Sequence, residues 1–124
     1  MRIWTLQLAK WRLAKQKGFH AVDITVKSGR KELAPDWDFL MAYKNSAQDA
    51  AAEREYTIKY LYKLERLLDA DAETLVSLLR HEDLVLMCYC PAGKFCHRHL
   101  LASKLQEVGM MFGIDVELCG ELTE

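Results

Sequence analysis

Apolar and polar positions recur along the chain in two periods, and the changes from one to the other lay out its elements. Ile3 to Leu8 begins apolar and reads as a short first strand. Leu8 to Lys17 then sets Ala9, Leu13 and Ala14 among Lys10, Arg12, Lys15 and Lys17, an amphipathic helix stopped by Gly18. From Phe19 to Lys27, Val22, Ile24 and Val26 alternate with Asp23, Thr25 and Lys27. That is the period of a strand, and it puts Asp23 and Thr25 on one face. Ser28 and Gly29 close it, and Lys27, Ser28 and Gly29 have the makings of a small anion-binding turn.

Arg30 to Pro35 reads as a loop, followed by a short helix around Trp37, Phe39, Leu40, Met41 and Tyr43, whose aromatics suit core or lid packing better than base stacking. Tyr56, Tyr60, Leu61, Leu64, Leu67 and Leu68 recur at helical spacing in what is the longest helix, Ala50 to Ala70. Asp71 suits the cap of a second helix, Ala72 to Arg80. Leu84 to Tyr89 is an apolar run of strand length. Pro91, Ala92 and Gly93 break it, and Cys96 to Val108 carries apolar residues at helical spacing until Gly109. Ile114, Val116 and Leu118 alternate with Asp115 and Glu117 in a last strand, whose polar face fits a sheet edge. Strands separated by helices predict an α/β fold, a small mostly parallel sheet with helices on both faces, in three layers.

Composition narrows this only slightly. At 124 residues, 51% of them hydrophobic, the chain suits a single domain over its whole length, 1–124, with one core. Its 17 basic and 18 acidic residues cancel, so no global field favours nucleic acid or an anionic membrane surface. The start lacks a continuous apolar signal segment and no run approaches a membrane span, so a soluble, cytoplasmic protein is expected. In that compartment the four cysteines are expected as thiols or metal ligands rather than disulfides.

Most reactive side chains fall within ten positions: Cys90, Lys94, Cys96, His97, Arg98 and His99. In α/β folds ligands bind here, beyond the carboxyl end of a strand and at the start of the next helix. One reading is an anion cradle. Backbone N–H groups, Lys94 and Arg98 hold a phosphate or carboxylate while the helix dipole favours a Cys96 thiolate. Another is zinc, supplied by Cys88 or Cys90, Cys96, and His97 or His99, although Cys-x-Cys is tighter than the usual ligand pair, and no metal is expected. Protein phosphatases and sulfurtransferases also place a cysteine and a downstream arginine in a strand-loop-helix. Seven residues between Cys90 and Arg98, rather than five, count against a thiol phosphatase. A purely structural reading has the cysteines packing and Arg98 pairing with an acid such as Asp23. His20 and His81 read as ordinary polar residues, and Cys119 as core.

Leu86-Met87-Cys88-Tyr89-Cys90 followed by Cys96-His97-Arg98-His99-Leu100-Leu101 resembles the domain-of-unknown-function 488 family, especially its small versions in bacteria and their phages. Asp23 to Gly29 resembles that family's amino-terminal strand and turn, and Ala34-Pro35-Asp36-Trp37 with Tyr56 and Tyr60 its middle section. The resemblance implies a Rossmann-like architecture and a site at Asp23, Cys88, Cys96, His97 and Arg98. It does not imply a reaction.

Three functional classes follow. An enzyme on a nucleotide or phosphorylated small molecule, a hydrolase or transferase, would use Asp23, Cys96 and His97 as catalytic groups, with Lys27, Ser28, Lys94 and Arg98 holding the anion. A nucleotide-sequestering module would keep the cations without turnover. An interaction or structural zinc-binding domain would leave the loop structural and meet its partner through Trp37 to Tyr43. The expected partner is an anionic or nucleotide-like small molecule rather than a membrane or nucleic acid, and homo-oligomerisation is left open.

Overall fold

The computed structural model describes residues 1–124. Four strands, β1 (Arg2–Gln7), β2 (His20–Asp23), β3 (Asp83–Cys88) and β4 (Glu117–Glu121), form one parallel sheet in the order β2-β3-β1-β4. Every residue of β3 is buried. This explains its nearly unbroken apolar run, because an interior strand of a parallel sheet is covered on both faces.

The connections are a 3-10 turn (Leu8–Lys10) leading into α1 (Trp11–Lys17), then α2 (Trp37–Lys44), α3 (Ala50–Ala70), α4 (Ala72–Leu78) and α5 (His97–Met111). From β1 the chain moves two places outward to β2, then back through β3 and over β1 to β4. Crossovers of one hand that travel in opposite directions put their helices on opposite faces. Accordingly Leu6, Val85 and Met87 pack with Ala14 of α1. Ile3, Leu84, Leu86 and Cys88 face the larger core, with Tyr60 and Leu64 of α3, Leu75 of α4 and Leu101 of α5. The domain is thus three-layered, as expected. The chain leaves the adjacent ends of β1 and β3 toward opposite faces.

Four element boundaries differ from the expectation. β2 stops at Asp23 rather than Lys27 because the Asp23 carboxylate turns back to accept the Thr25 N–H at 2.9 Å, and residues 26–28 form a turn. The second of the paired helices stops at Leu78, short of Arg80. Gly109 lies inside α5, not at its end; the left-handed residue just past this helix is Gly113, at φ +72°. Gly109 is needed for packing, since a Cβ there would stand 2.7 Å from the Ile114 carbonyl oxygen and 2.7 Å from Val116 Cγ2. The last strand begins only at Glu117 and is a sheet edge, with a break in its pairing to β1 between Ile3 and Trp4. No helix is long and apolar enough to cross a membrane.

Gly109→Ala tests this packing. The returning segment must shift to admit the methyl group, so urea denaturation should show a loss of about 1–3 kcal/mol. A gain of a few tenths of a kcal/mol, the usual result for glycine to alanine within a helix, would contradict the close approach.

Candidate functional site

Alternation along β3 sends Leu84, Leu86 and Cys88 to the face covered by α5, and Cys96 is the N-cap of that helix, in extended conformation. The two cysteines therefore meet sulfur to sulfur, with their Cα atoms 7.7 Å apart, wider than a disulfide spans. Spacing along the chain carried no sign of this contact. Cys90 and Cys119 are unpaired and half-buried. Between them the loop from Tyr89 to Phe95 uses Gly93 at φ +82°, and Phe95 anchors it by packing 5.2 Å from both the Tyr43 and Tyr56 rings. The aromatic segment around α2 thus serves packing, as expected, apart from Trp37, which is exposed.

His97 opens α5 and is buried. Its Nε2 lies 2.6 Å from the carbonyl oxygen of Ile24, which can only accept, so Nε2 carries the proton of the neutral ring. The lone pair is then on Nδ1, and Nδ1 is 3.6 Å from Cys96 Sγ. Burial pushes the His97 pKa down to about 4, assisted by the charge of Arg98, while the Ile24 contact and Asp23 pull the other way. The ring is neutral at physiological pH. Tyr60 meets it edge-on at 5.5 Å.

Arg98 has no exposed surface. Its Nε donates to Glu121 Oε1 at 2.9 Å. Its Nη1 donates to Cys88 Sγ at 2.8 Å and to the Cys90 carbonyl at 2.7 Å, and its Nη2 to the Pro91 carbonyl at 3.3 Å. Four of the five N–H donors of the guanidinium thus have acceptors, and Nη2 also lies 2.9 Å from Glu121 Oε1 in an ion pair. Arg98 was expected to face a ligand or to pair with Asp23; it holds the loop, and its acid is Glu121. Glu121 also accepts from Thr5 Oγ1 at 2.8 Å. Neither Glu121 nor Thr5 stood out in the sequence, because one acid on an edge strand and one threonine in a first strand are unremarkable there. Lys27 and Lys94 are exposed, with no hydrogen-bond partner.

Asp23 ends β2 beside Met87 of β3, so it shares the carboxyl edge of the sheet with Cys88. Its Oδ2 accepts from Ser28 Oγ at 2.6 Å. Ser28 Oγ is also 3.0 Å from Thr25 Oγ1 and 3.3 Å from the Tyr89 hydroxyl. Tyr89 is a member of this cluster that the sequence did not single out. Gly29 seals the turn: a Cβ would lie 2.4 Å from the Asp23 carbonyl oxygen and 2.5 Å from the Thr25 nitrogen. The structure therefore brings Asp23, Ser28, Cys88, Cys96, His97 and Arg98 to one edge, with the side chains of Lys27 and Lys94 outside it. The donor atoms of Cys88, Cys96 and His97 lie within 4.8 Å of one another and are the group able to hold a soft metal ion; Cys90 and His99 are not in it. A cavity of about 640 Å³ lies away from this edge, at the start of β1 and end of α5, lined by Met1, Arg2, Met110 and Glu117 among others, and holds no cysteine or histidine.

A family model described as the active DUF488-N3 subclade matches residues 1–109. Glu121, the acid that balances Arg98, lies beyond the matched stretch. No curated protein and no solved structure matches the chain.

The buried imidazole has a consequence for stability. Folded, His97 titrates near 4; unfolded, near the ordinary 6.5. Between these values the unfolded chain binds more protons, so stability is complete above about pH 6.5 and falls as the pH is lowered toward 4. Urea unfolding at pH 7 and 4.5 should show His97→Gln losing roughly 2–3 kcal/mol less than the parent protein over that interval. Equal losses in both proteins would show that His97 is not held neutral by burial.

Proposed function

This chain belongs to the DUF488 family, and we propose that it is a thiol-dependent transferase or hydrolase whose reduced Cys96 attacks a small anionic, nucleotide-type substrate. One observation carries this reading: the Ile24 carbonyl fixes the His97 tautomer so that the Nδ1 lone pair faces the Cys96 sulfur. The Cys96 thiol can pass its proton to Nδ1. Burial holds the His97 pKa at about 4, and a thiolate 3.6 Å away favours the imidazolium and raises it. The start of α5 lends its positive end to the same sulfur.

The remaining groups divide the work by position. Lys27 and Lys94, exposed on the turn after β2 and the loop after β3, supply charge to an anionic group arriving at this edge. Asp23, tied to Ser28 and through it to Tyr89, is the group placed to exchange a proton with a leaving group or water. Arg98 acts indirectly by holding Cys90 and Pro91 over the helix start. Cys96 lies beneath this loop, so substrate reaches it when Tyr89 to Lys94 lifts.

The three soft donors favour a second reading, a structural zinc site in the reduced protein. Elemental analysis of reduced, untagged protein separates the two, because the thiol enzyme holds no stoichiometric zinc.

The reduced protein, incubated with a panel of nucleotides and phosphorylated sugars and analysed by mass spectrometry, should convert at least one of them. Cys96→Ala should abolish the conversion, His97→Gln should slow it about 10²–10⁴-fold, and Cys119→Ser should leave it unchanged. Binding without product would instead make the domain a sequestering module, and turnover that survives Cys96→Ala would exclude the thiol mechanism.

A further inference from the structure

We propose that the outer side of α1 is a binding surface for single-stranded nucleic acid, on which Lys10, Arg12, Lys15 and Lys17 hold phosphates and Trp11 stacks on a base. The inference is independent of the reading of Cys96 as a nucleophile.

The charges of the chain cancel overall but are unevenly spread. Its first 22 residues hold five of the basic residues and none of the acidic ones, and four of those five lie between Lys10 and Lys17. All four are exposed, and none of them forms an ion pair. On α3, by contrast, the exposed Lys59 is met at 3.3 Å by Glu55 one turn earlier. A helix side that only faces water gains from alternating signs, and like charges one turn apart, such as Arg12 and Lys15, work against the helix. Charge of one sign with no partner in the fold is complementary to a polyanion outside it.

Trp11 decides which polyanion. Its indole is 39% exposed. The Arg12 guanidinium carbon stands 4.8 Å and the Lys15 ammonium 5.7 Å from the centre of the ring. An accessible aromatic ring set among cations is how proteins hold unpaired nucleic acid: the ring stacks on a base of any identity, and the cations follow the backbone. Lys10 and Lys17 bracket the ring along about 10 Å at helical rise, enough for more than one phosphate. A duplex keeps its base faces stacked on one another, so the indole asks for a single strand. A lipid surface fits less well, because a helix lying in a membrane interface must bury its apolar side there. In α1 that side is already used: Ala14 is buried with Leu6, Val85 and Met87, and Leu8, Leu13 and Phe19 pack around them. This is the face of the sheet opposite α5, so the surface is separate from the Cys96 site.

Fluorescence anisotropy of a short labelled oligothymidylate, titrated with the full chain at several salt concentrations, tests the proposal. The logarithm of the binding constant should fall by about 3 for each unit of log salt, as four cations on a single strand require, and Lys10→Gln with Lys15→Gln should reduce that slope by about 0.7 for each cation removed. At one salt concentration Trp11→Ala should weaken binding about 5- to 100-fold, and Trp11→Phe, which keeps a stacking ring and guards against a loss due to unfolding, should retain most of the affinity. Cys96→Ala should bind as the parent does, whether or not the protein turns over a substrate. Absence of binding at low salt, or binding unchanged by the two lysine substitutions, would overturn the proposal. So would a duplex bound as tightly as the single strand, or vesicles of phosphatidylcholine and phosphatidylserine bound in preference to it. Trp11→Ala binding as the parent would overturn it too, since the surface would then recognise charge alone.

Discussion

A guanidinium with no exposed surface has to find partners for five donors and one positive charge inside the protein, and the carboxyl edge of this sheet is arranged around doing so. Breaking such a buried pair by removing one partner typically costs about 3–5 kcal/mol, because the other charge is stranded. Arg98 reaches β4 through Glu121, β3 through Cys88 and the intervening loop through two carbonyls. Thr5 of β1 bonds the same Glu121 oxygen. Three adjacent strands and the loop above them are thus gathered on one side chain, which fixes the start of α5 relative to the sheet.

The neighbouring residue gains its role from that anchoring. Successive residues of a helix point about 100° apart, so with Arg98 turned toward β1 and β4, His97 is turned the other way, toward the chain leaving β2. There it meets the Ile24 carbonyl. The strand order β2-β3-β1-β4 places β3 beneath the helix start, and its last residue, Cys88, lies below Cys96. Positioning is therefore shared out along three consecutive residues: Cys96 on the sulfur of β3, His97 on β2, Arg98 on β4. The reactive geometry depends on contacts spanning the width of the sheet. It is as precise as those contacts, two of which are made to carbonyls of the loop between Tyr89 and Phe95.

Much of this was legible in the sequence. The periodicities located all four strands and all five α-helices, and the Cys96-His97-Arg98 cluster at a strand-loop-helix marked the correct edge. What periodicity does not encode is the partner across space. Nothing in the spacing joined Cys88 to Cys96 or assigned Glu121 to Arg98, since both pairings follow from strand order and crossover direction. The strand after Phe19 ended early because an aspartate side chain competing for backbone N–H groups overrides an alternating pattern. Gly109 read as a helix stop because a glycine required by close packing looks the same in sequence as one required by a turn.

The central claim is that His97 presents an unprotonated Nδ1 to Cys96. Two-bond ¹H–¹⁵N correlation of the imidazole rings, followed from pH 8 down to about pH 4.5 in the Cys96→Ser protein, whose hydroxyl does not ionise, reads this directly. The account predicts a single neutral His97 tautomer, protonated at Nε2, that persists below the pH at which an ordinary histidine titrates. A ring protonated at Nδ1, or one that takes up its second proton near pH 6.5, would contradict it.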